Sequence, residues 1–372
     1  MWFHNPNNKL TNICTGRQEQ RLSLCVILVS WFLAKSASRA GKMWVRRLWV
    51  LQTGRKILKK EIYFREVNQI CEKHRIEIKD LKSTTGSFDK KIYFINNELL
   101  LRVSETTMEG EQERFRRVAA LQFVPKIKHM GMLERKTGPL YYTLLTLLPG
   151  DDFVNVYSET TGVEQNRLGK DIAAFLDNLY ALTGTYYDIG LYIPAIPNFI
   201  GTWRVGHQKY WELLKQGTEA LKLKPDSIRI FESAFHFLDA SIEVLDFQTG
   251  PKLLHNDFHP KNILLNHGNF SGVIDWECSQ FGEADFELCH FIHWCLYPPK
   301  SNIDFRPFLR ALFQSSPKCA QVPGLAKRLT IYQVEHEIQQ IIWHGSKAEA
   351  ERVPRIIRWM DGGVDDLLRQ VC

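Results

Sequence analysis

Three residues in the second half of the chain have the types and spacing needed to move a phosphoryl group. Residues 253–277, LLHNDFHPKNILLNHGNFSGVIDWE, contain His255-x-Asp257-x-x-x-x-Asn262 and then an apolar hairpin pattern that ends in Asp275. Transfer of a γ-phosphoryl group asks for little covalent chemistry from the protein. It needs a carboxylate to orient the acceptor hydroxyl and take its proton, and hard oxygen ligands to hold Mg²⁺ on the phosphates. Asp257 is the candidate for the first task. An amide oxygen from Asn262 and a carboxylate from Asp275 suit the second. Taken singly, each of these residues reads as a turn cap or a strand end. Their combined spacing favours the catalytic reading.

The segments around these residues have to bring them to one place. Ile263–Asn266 and residues 270–274 read as the two strands of a hairpin, which would carry Asn262 and Asp275 to the same edge. Asp257 would face that edge from the preceding loop. Residues 57–78 have helix-like apolar spacing at Ile62, Phe64, Val67, Ile70 and Cys71. Residues 81–105 read as a hairpin, with turn residues around Gly86, strands at Lys91–Ile95 and 99–103, and Asn96-Asn97 at the turn. A charged helix at 108–122 and an apolar strand at 140–148 follow. Leu168, Ile172, Phe175, Leu176, Leu179 and Leu182 keep helical spacing over 163–183, and 203–216 and 226–246 repeat that character. The reading is an α+β chain, β-rich before residues 149–152 and mainly helical after them.

The octapeptide His255-Asn256-Asp257-Phe258-His259-Pro260-Lys261-Asn262 closely resembles the catalytic loop of the aminoglycoside phosphotransferase and choline kinase family, which has a bilobal protein-kinase-like fold. Ile274-Asp275-Trp276-Glu277 resembles its metal-binding segment, where Asp-Trp stands in for the protein-kinase Asp-Phe-Gly. Residues 282–288, GEADFEL, resemble the Gly-Asp-Pro-x-x-Asp-Leu stretch that follows, with Glu287 where the family has Asp. The resemblance covers residues 80–300 and is strongest at 253–288. It implies an N-terminal extension at 1–56, an N-lobe at 57–148 and a helical C-lobe at 149–372.

The same resemblance implies roles for residues that say little alone. Ser83, Thr85, Gly86 and Ser87 would belong to the nucleotide-covering loop, whose backbone N–H groups face phosphate. Arg102, in LLLRVSE, takes the place of the phosphate-pairing lysine on the third strand and can grip phosphate through two nitrogens. Its expected partner on the following helix is Glu113, ahead of Glu111 and Glu109. Thr146 and Leu147 lie in LTLLPG, which resembles the hinge whose backbone meets the adenine edge. LGKDIAAFLDNLYAL resembles the first long C-lobe helix. His255 is expected to brace the catalytic loop from behind, and His259 to order it near Asp257. A zinc site built on these two histidines and Asp257 lacks a further well-spaced ligand.

Composition narrows the field. The 372 residues suit roughly two domains of about 100–200 residues each. A chain 44% hydrophobic and 24% charged is globular rather than disordered. Net charge is +7, and much of the excess lies in the first 60 residues, including Arg46, Arg47, Arg55, Lys56, Lys59 and Lys60. Such a segment can meet anionic lipid or nucleic acid, but a solvated face is the plainer account and no nucleic-acid motif accompanies it. Residues 22–34, LSLCVILVSWFLA, fall short of the roughly 20 apolar residues of a membrane span. With Arg17 and Arg21 before them they outline a signal peptide. Export conflicts with use of ATP, and a start at Met43 would remove the segment altogether. The 8 cysteines are scattered, as expected of reduced thiols in the cytoplasm. Cys289, His290, His293 and Cys295 are interleaved with Phe291, Ile292 and Trp294, which reads as a buried helix rather than a zinc site.

The expected activity is Mg²⁺- and ATP- (or GTP-) dependent transfer to a small-molecule hydroxyl. The acceptor should lie between the catalytic loop and the C-terminal helices. Glu277, Trp203, His207, Tyr210, Trp211, Trp343 and Asp361 are candidates for lining it. Acidic residues in 185–250 and 300–372 are not clustered, which counts against a polycationic acceptor. An aminoglycoside, a choline-like amino alcohol, a sugar or a related metabolite remain open. A nucleotide-binding scaffold is the competing reading, and the complete Asp257, Asn262, Asp275 set argues against it. The absence of an Ala-Pro-Glu motif argues against a protein acceptor.

Overall fold

The computed structural model describes residues 63–372 apart from 86–89, 193, 299–302 and 316. The apolar run 22–34, Met43, the basic residues up to Lys60, and the expected loop residues Gly86 and Ser87 lie outside the described residues. Five antiparallel strands form the first sheet: β1 (Leu81–Thr85), β2 (Lys91–Ile95), β3 (Leu99–Ser104), β4 (Ile127–Leu133) and β5 (Leu140–Thr146), in the order β1-β2-β3-β5-β4. Asn96 and Asn97 turn the chain between β2 and β3, both with positive φ, a region Asn tolerates better than most residues.

Alternation along these strands sorts their side chains. Tyr93, Ile95, Leu101, Val103, Leu140, Tyr142 and Leu144 form one buried face. Helix α1 (Phe64–Lys73) covers it with Val67, Ile70 and Cys71. Arg102, between Leu101 and Val103, is thereby sent to the other face of β3, where it pairs in register with Ile92 and Thr143. Helix α2 (Glu109–Arg117) follows. Met108, Glu111, Phe115 and Val118 are buried at helical spacing, whereas Glu113 points outward to Arg116 and Arg117.

After β5 the chain crosses Pro149 and Gly150 and enters β6 (Asp151–Asp152), which pairs with the first strand of the hairpin β7 (Ile263–Asn266) and β8 (Asn269–Val273). Gly150 has φ +106°, and a Cβ there would sit 2.1 Å from the Leu265 carbonyl oxygen, so only glycine fits this crossing. Helices α3 (Gly162–Leu179), α4 (Trp203–Glu219), α5 (Pro225–Ser241), α6 (Leu288–Leu296), α7 (Arg306–Gln314), α8 (Leu325–His344), α9 (Glu349–Arg358) and α10 (Val364–Val371) make up most of the remainder. Thr161 and Glu164 form a capping box at the start of α3. Helix α8 is buried continuously from Arg328 to Ile342 and is the central strut of this part. Among the described residues no helix is long and apolar enough to cross a membrane.

The acidic stretch after the hairpin fastens these pieces together. Glu283 accepts from the Thr249 and Gly250 N–H groups at 2.8 and 3.0 Å and from the Tyr187 hydroxyl at 2.5 Å. Asp285 takes a two-pronged bond from Arg328 of α8, at 2.6 and 3.0 Å, and one from the Tyr332 hydroxyl at 3.1 Å. Both members of that ion pair are wholly inaccessible to solvent. Arg328 also donates to the Val244 and Phe247 carbonyls. Removing one partner strands a buried charge, so Arg328→Ala is expected to destabilise the chain by about 3–5 kcal/mol. Urea denaturation measures it, and a loss below about 1 kcal/mol would show that the pair does not anchor α8.

Candidate active site

The β7–β8 hairpin is closed at its open end by Ile274. Its N–H donates to the Asn262 carbonyl at 2.9 Å, and its carbonyl accepts from His255 Nε2 at 2.7 Å. One residue therefore ties the segment carrying Asp275 to both ends of the loop carrying Asp257. A carbonyl can only accept, so His255 carries its proton on Nε2. Its Nδ1 then receives the Asp257 N–H at 3.3 Å. Burial lowers the His255 pKa to about 4, which keeps the ring neutral in this bracing role. Directly after Ile274 the backbone of Asp275 adopts φ 66° and ψ 55°, a left-handed conformation uncommon outside glycine and concentrated at functional positions.

Asp257 and Asn262 are locked to each other. Asn262 Nδ2 donates to the Asp257 carbonyl at 2.9 Å and to its carboxylate at 3.1 Å. The amide nitrogen is thus committed, and Oδ1 is the atom left to bind a cation. His259 Nδ1 accepts from the Lys261 N–H at 3.2 Å, so Nε2 bears the proton and faces Asp257 Oδ1 at 3.4 Å. Its ring stacks on Trp294 with centroids 4.7 Å apart. Burial, followed by the charge of Asp275, raises the Asp257 pKa well above the ordinary carboxylate value, against the pull of the Asn262 hydrogen bond. Asp275 is likewise raised, by burial and then by Glu277, with Arg102 opposing. Crowded carboxylates beside an amide oxygen form a donor set that a hard divalent cation would relieve, and Asn262 with Asp275 fit Mg²⁺ on that ground.

Glu287 holds the loop from behind. Its two oxygens accept from the His255 and Asn256 N–H groups at 2.6 and 2.9 Å. The side chain in place of the family's Asp therefore still reaches the catalytic-loop backbone.

The cations come from the first sheet. Arg102 has Nε 3.3 Å from Glu111 Oε1, Nη1 3.6 Å from Asp275 Oδ1 and Nη2 3.1 Å from Glu277 Oε2. Its helix partner is Glu111, not Glu113: Glu111 shares the buried face of α2 with Met108, Phe115 and Val118, and Glu113 lies on the solvent face. Lys90, which the sequence did not single out, pairs with both Glu111 and Glu277. Glu277 therefore faces the cations Lys90 and Arg102, which differs from the expected place in an acceptor wall. Burial opposes its ionisation, but Lys90 and then Arg102 hold its pKa below the usual value. Ser83 is exposed in β1, and Thr85 pairs in register with Lys91. At the expected hinge, the Thr146 and Leu147 N–H groups are donated to the Lys126 and Glu98 carbonyls, so neither is free to meet an adenine edge.

The acceptor-side expectations need correction. Trp203 and Tyr210 are fully buried core residues of α4, as are His207 and Trp211. His207 Nδ1 lies 2.6 Å from Glu335 Oε1, and Trp211 Nε1 donates to the same oxygen. Their i, i+4, i+7, i+8 spacing marks a core face. Asp361 is exposed in the turn Trp359–Gly363. Trp343 is half-buried against Tyr192, with centroids 5.4 Å apart. Tyr192 itself has φ 59°, and its hydroxyl lies 3.3 Å from His290 Nδ1 and 3.4 Å from His336 Nε2. Burial, and then the charge of Asp257, push the pKa of its phenol up. Nothing in the sequence marked it. On α6, His293, not paired with its neighbouring cysteines, has Nδ1 3.2 Å from Glu337 Oε1, and Glu337 also accepts from Arg352 at 3.0 Å and from Trp359 at 3.2 Å.

Residues 81–316 match the sequence profile of the phosphotransferase enzyme family. The chain belongs to that family. A hygromycin-B 4-O-kinase from Escherichia coli is 36% identical over 42 residues, a match that spans 11% of this chain and 12% of that enzyme. Among solved structures, the chain is similar to the aminoglycoside phosphotransferase APH(4)-Ia, with a TM-score of 0.55 and 18% identity over 82% of this chain and 98% of that one. It is similar also to APH(2'')-IIa in a ternary complex with streptomycin and ATP, with a TM-score of 0.54 and 18% identity over 84% and 97% of the two chains. At this identity the likeness concerns the fold, and that fold is the bilobal protein-kinase-like one.

A titration checks the loop brace in this phosphotransferase. Burial raises Glu287 to a pKa of about 7, against the two N–H bonds it accepts. The folded chain thus favours the protonated form. That contribution is complete below about pH 4.5 and is lost as the pH rises through about 7. The melting temperature is expected to fall across this window in the wild type, and to fall less steeply in Glu287→Gln, because Asp257 and Asp275, also raised, keep their own share of the dependence. Parallel curves would show that Glu287 does not titrate there.

Proposed function

We propose that this phosphotransferase moves the γ-phosphoryl group of ATP or GTP to a hydroxyl of a small molecule. The observation that carries the reading is the convergence of the Asp257 carboxylate, fixed by Asn262 Nδ2 at 3.1 Å, with Asp275 and the Arg102 guanidinium 3.6 Å from it. Bound Mg²⁺, held through Asn262 Oδ1 and the Asp275 carboxylate, would neutralise charge on the phosphates. Arg102 would orient the phosphate chain. Asp257 would align the acceptor hydroxyl, whose oxygen forms the new bond to the γ-phosphorus while its proton passes to the carboxylate. The bond to the β-phosphate oxygen breaks, and the nucleoside diphosphate leaves. Such a reaction belongs where the triphosphate is, in the cytoplasm.

The wall beyond Asp257 supports a hydroxylated acceptor over a polycation. Trp294, Tyr192 and Trp343 offer ring faces, and His290 and His336 flank the Tyr192 hydroxyl. Glu337, a carboxylate next to His336 and His293, is committed to Arg352, Trp359 and His293. An aminoglycoside, an amino alcohol and a sugar are therefore to be tried in one panel, with the neutral sugar expected to do best.

Asp257→Asn is expected to lower turnover about 10²–10⁴-fold while nucleotide still binds, since general-base contributions fall in that range. Asp275→Ala is expected to abolish the Mg²⁺-dependent part of nucleotide binding, measured by calorimetry. Full turnover in the first variant, or unchanged Mg²⁺ dependence in the second, would overturn the assignments.

A further inference from the structure

We propose that Lys90 is a second phosphate-binding cation beside Arg102, and that Glu277 and a nucleotide phosphate compete for the two. The inference rests on the nucleotide-dependent reading above and adds a residue to it.

Lys90 stands immediately before β2, next to Lys91, which pairs in register with Val103 on the strand that carries Arg102. Its Nζ lies 2.6 Å from Glu111 Oε2 and also contacts Glu277 Oε2. That Glu277 oxygen accepts from Arg102 Nη2 at 3.1 Å as well. A single anionic oxygen thus sits between an ammonium and a guanidinium, the arrangement a phosphate oxygen would take there. Arg102 Nη1 reaches Asp275 from the same group, which puts the shared oxygen beside the expected metal ligand.

Charge and burial distinguish the two carboxylates. The Glu111 side chain is 4% exposed and comes from α2, whereas that of Glu277 is 23% exposed and follows the catalytic hairpin. Glu111 is the permanent partner. Alone, it would cancel the charge of Arg102 and leave none for a triphosphate. Lys90 supplies the surplus positive charge, and its flexible stem and point charge let it keep Glu111 while exchanging Glu277 for phosphate.

The test is calorimetric binding of ATP and AMP to the wild type, Lys90→Met and Lys90→Arg, with melting curves recorded for each. A charge-assisted hydrogen bond to phosphate corresponds to about a 10- to 100-fold loss of ATP affinity in Lys90→Met. AMP, which lacks the β- and γ-phosphates, is expected to bind equally to the two proteins, and Lys90→Arg to recover most of the ATP affinity. Glu277→Gln, assayed with ATP and no divalent cation, is expected to bind more tightly than wild type. Equal losses for ATP and AMP would reduce Lys90 to a structural strut. Unchanged ATP affinity in Lys90→Met, or weaker metal-free binding in Glu277→Gln, would overturn the proposal alone. A wild type that binds no nucleotide would overturn the functional reading with it.

Discussion

Ile274 offers no side-chain chemistry, yet its peptide groups set the spacing of the residues proposed to supply it. Its N–H closes the hairpin onto the Asn262 carbonyl, and its carbonyl fixes the tautomer and orientation of His255. Because a β-hairpin has a defined strand separation, this closure fixes how far Asn262 stands from Asp275. His255, held from the other side, receives the Asp257 N–H and carries the constraint into the catalytic loop. The left-handed backbone of Asp275 is sustained only because the residue before it is held at both polar groups.

The electrostatics follow from that spacing. Asp257, Asp275, Glu277 and Glu111 crowd one region, and their mutual repulsion would be severe in a buried site without Arg102 and Lys90. Arg102 alone contacts three of the four. The site is therefore a charge cluster in which Arg102 and Lys90 offset the carboxylates. Behind it, Glu283, Asp285 and Glu287 turn a short acidic stretch into three separate anchors, to the turn before the loop, to helix α8 and to the loop backbone. The same few residues thus couple the helical scaffold to the position of Asp257.

The parts of the site legible in the sequence were those encoded contiguously. Asp257, Asn262 and Asp275 lie within one loop and hairpin, so their spacing along the chain is nearly their arrangement in space. The antiparallel hairpins were legible for the same reason, through alternation and the Asn96-Asn97 turn. Choices that depend on helix phase were less clear. Glu111 and Glu113 differ by about 200° around a helix, and the cue that separates them is the spacing of Met108, Glu111, Phe115 and Val118. Trp203 and Tyr210 fit a pocket by residue type alone, because aromatics serve both roles, but their spacing with His207, Trp211 and Leu214 describes a core face. Lys90 and Tyr192 gain their meaning only from partners far away in sequence, Glu277 for one and His290 and His336 for the other.

The central claim is that this arrangement transfers a phosphoryl group to a hydroxyl rather than holding a nucleotide in place. Phosphorus NMR of the wild-type protein with Mg²⁺, ATP and a pool of sugars, amino alcohols and aminoglycosides reads the chemistry directly. The account predicts loss of the γ-phosphate signal together with growth of a phosphomonoester resonance and of ADP. Tight binding of ATP with no new phosphomonoester from any acceptor would contradict it and leave a nucleotide-binding scaffold.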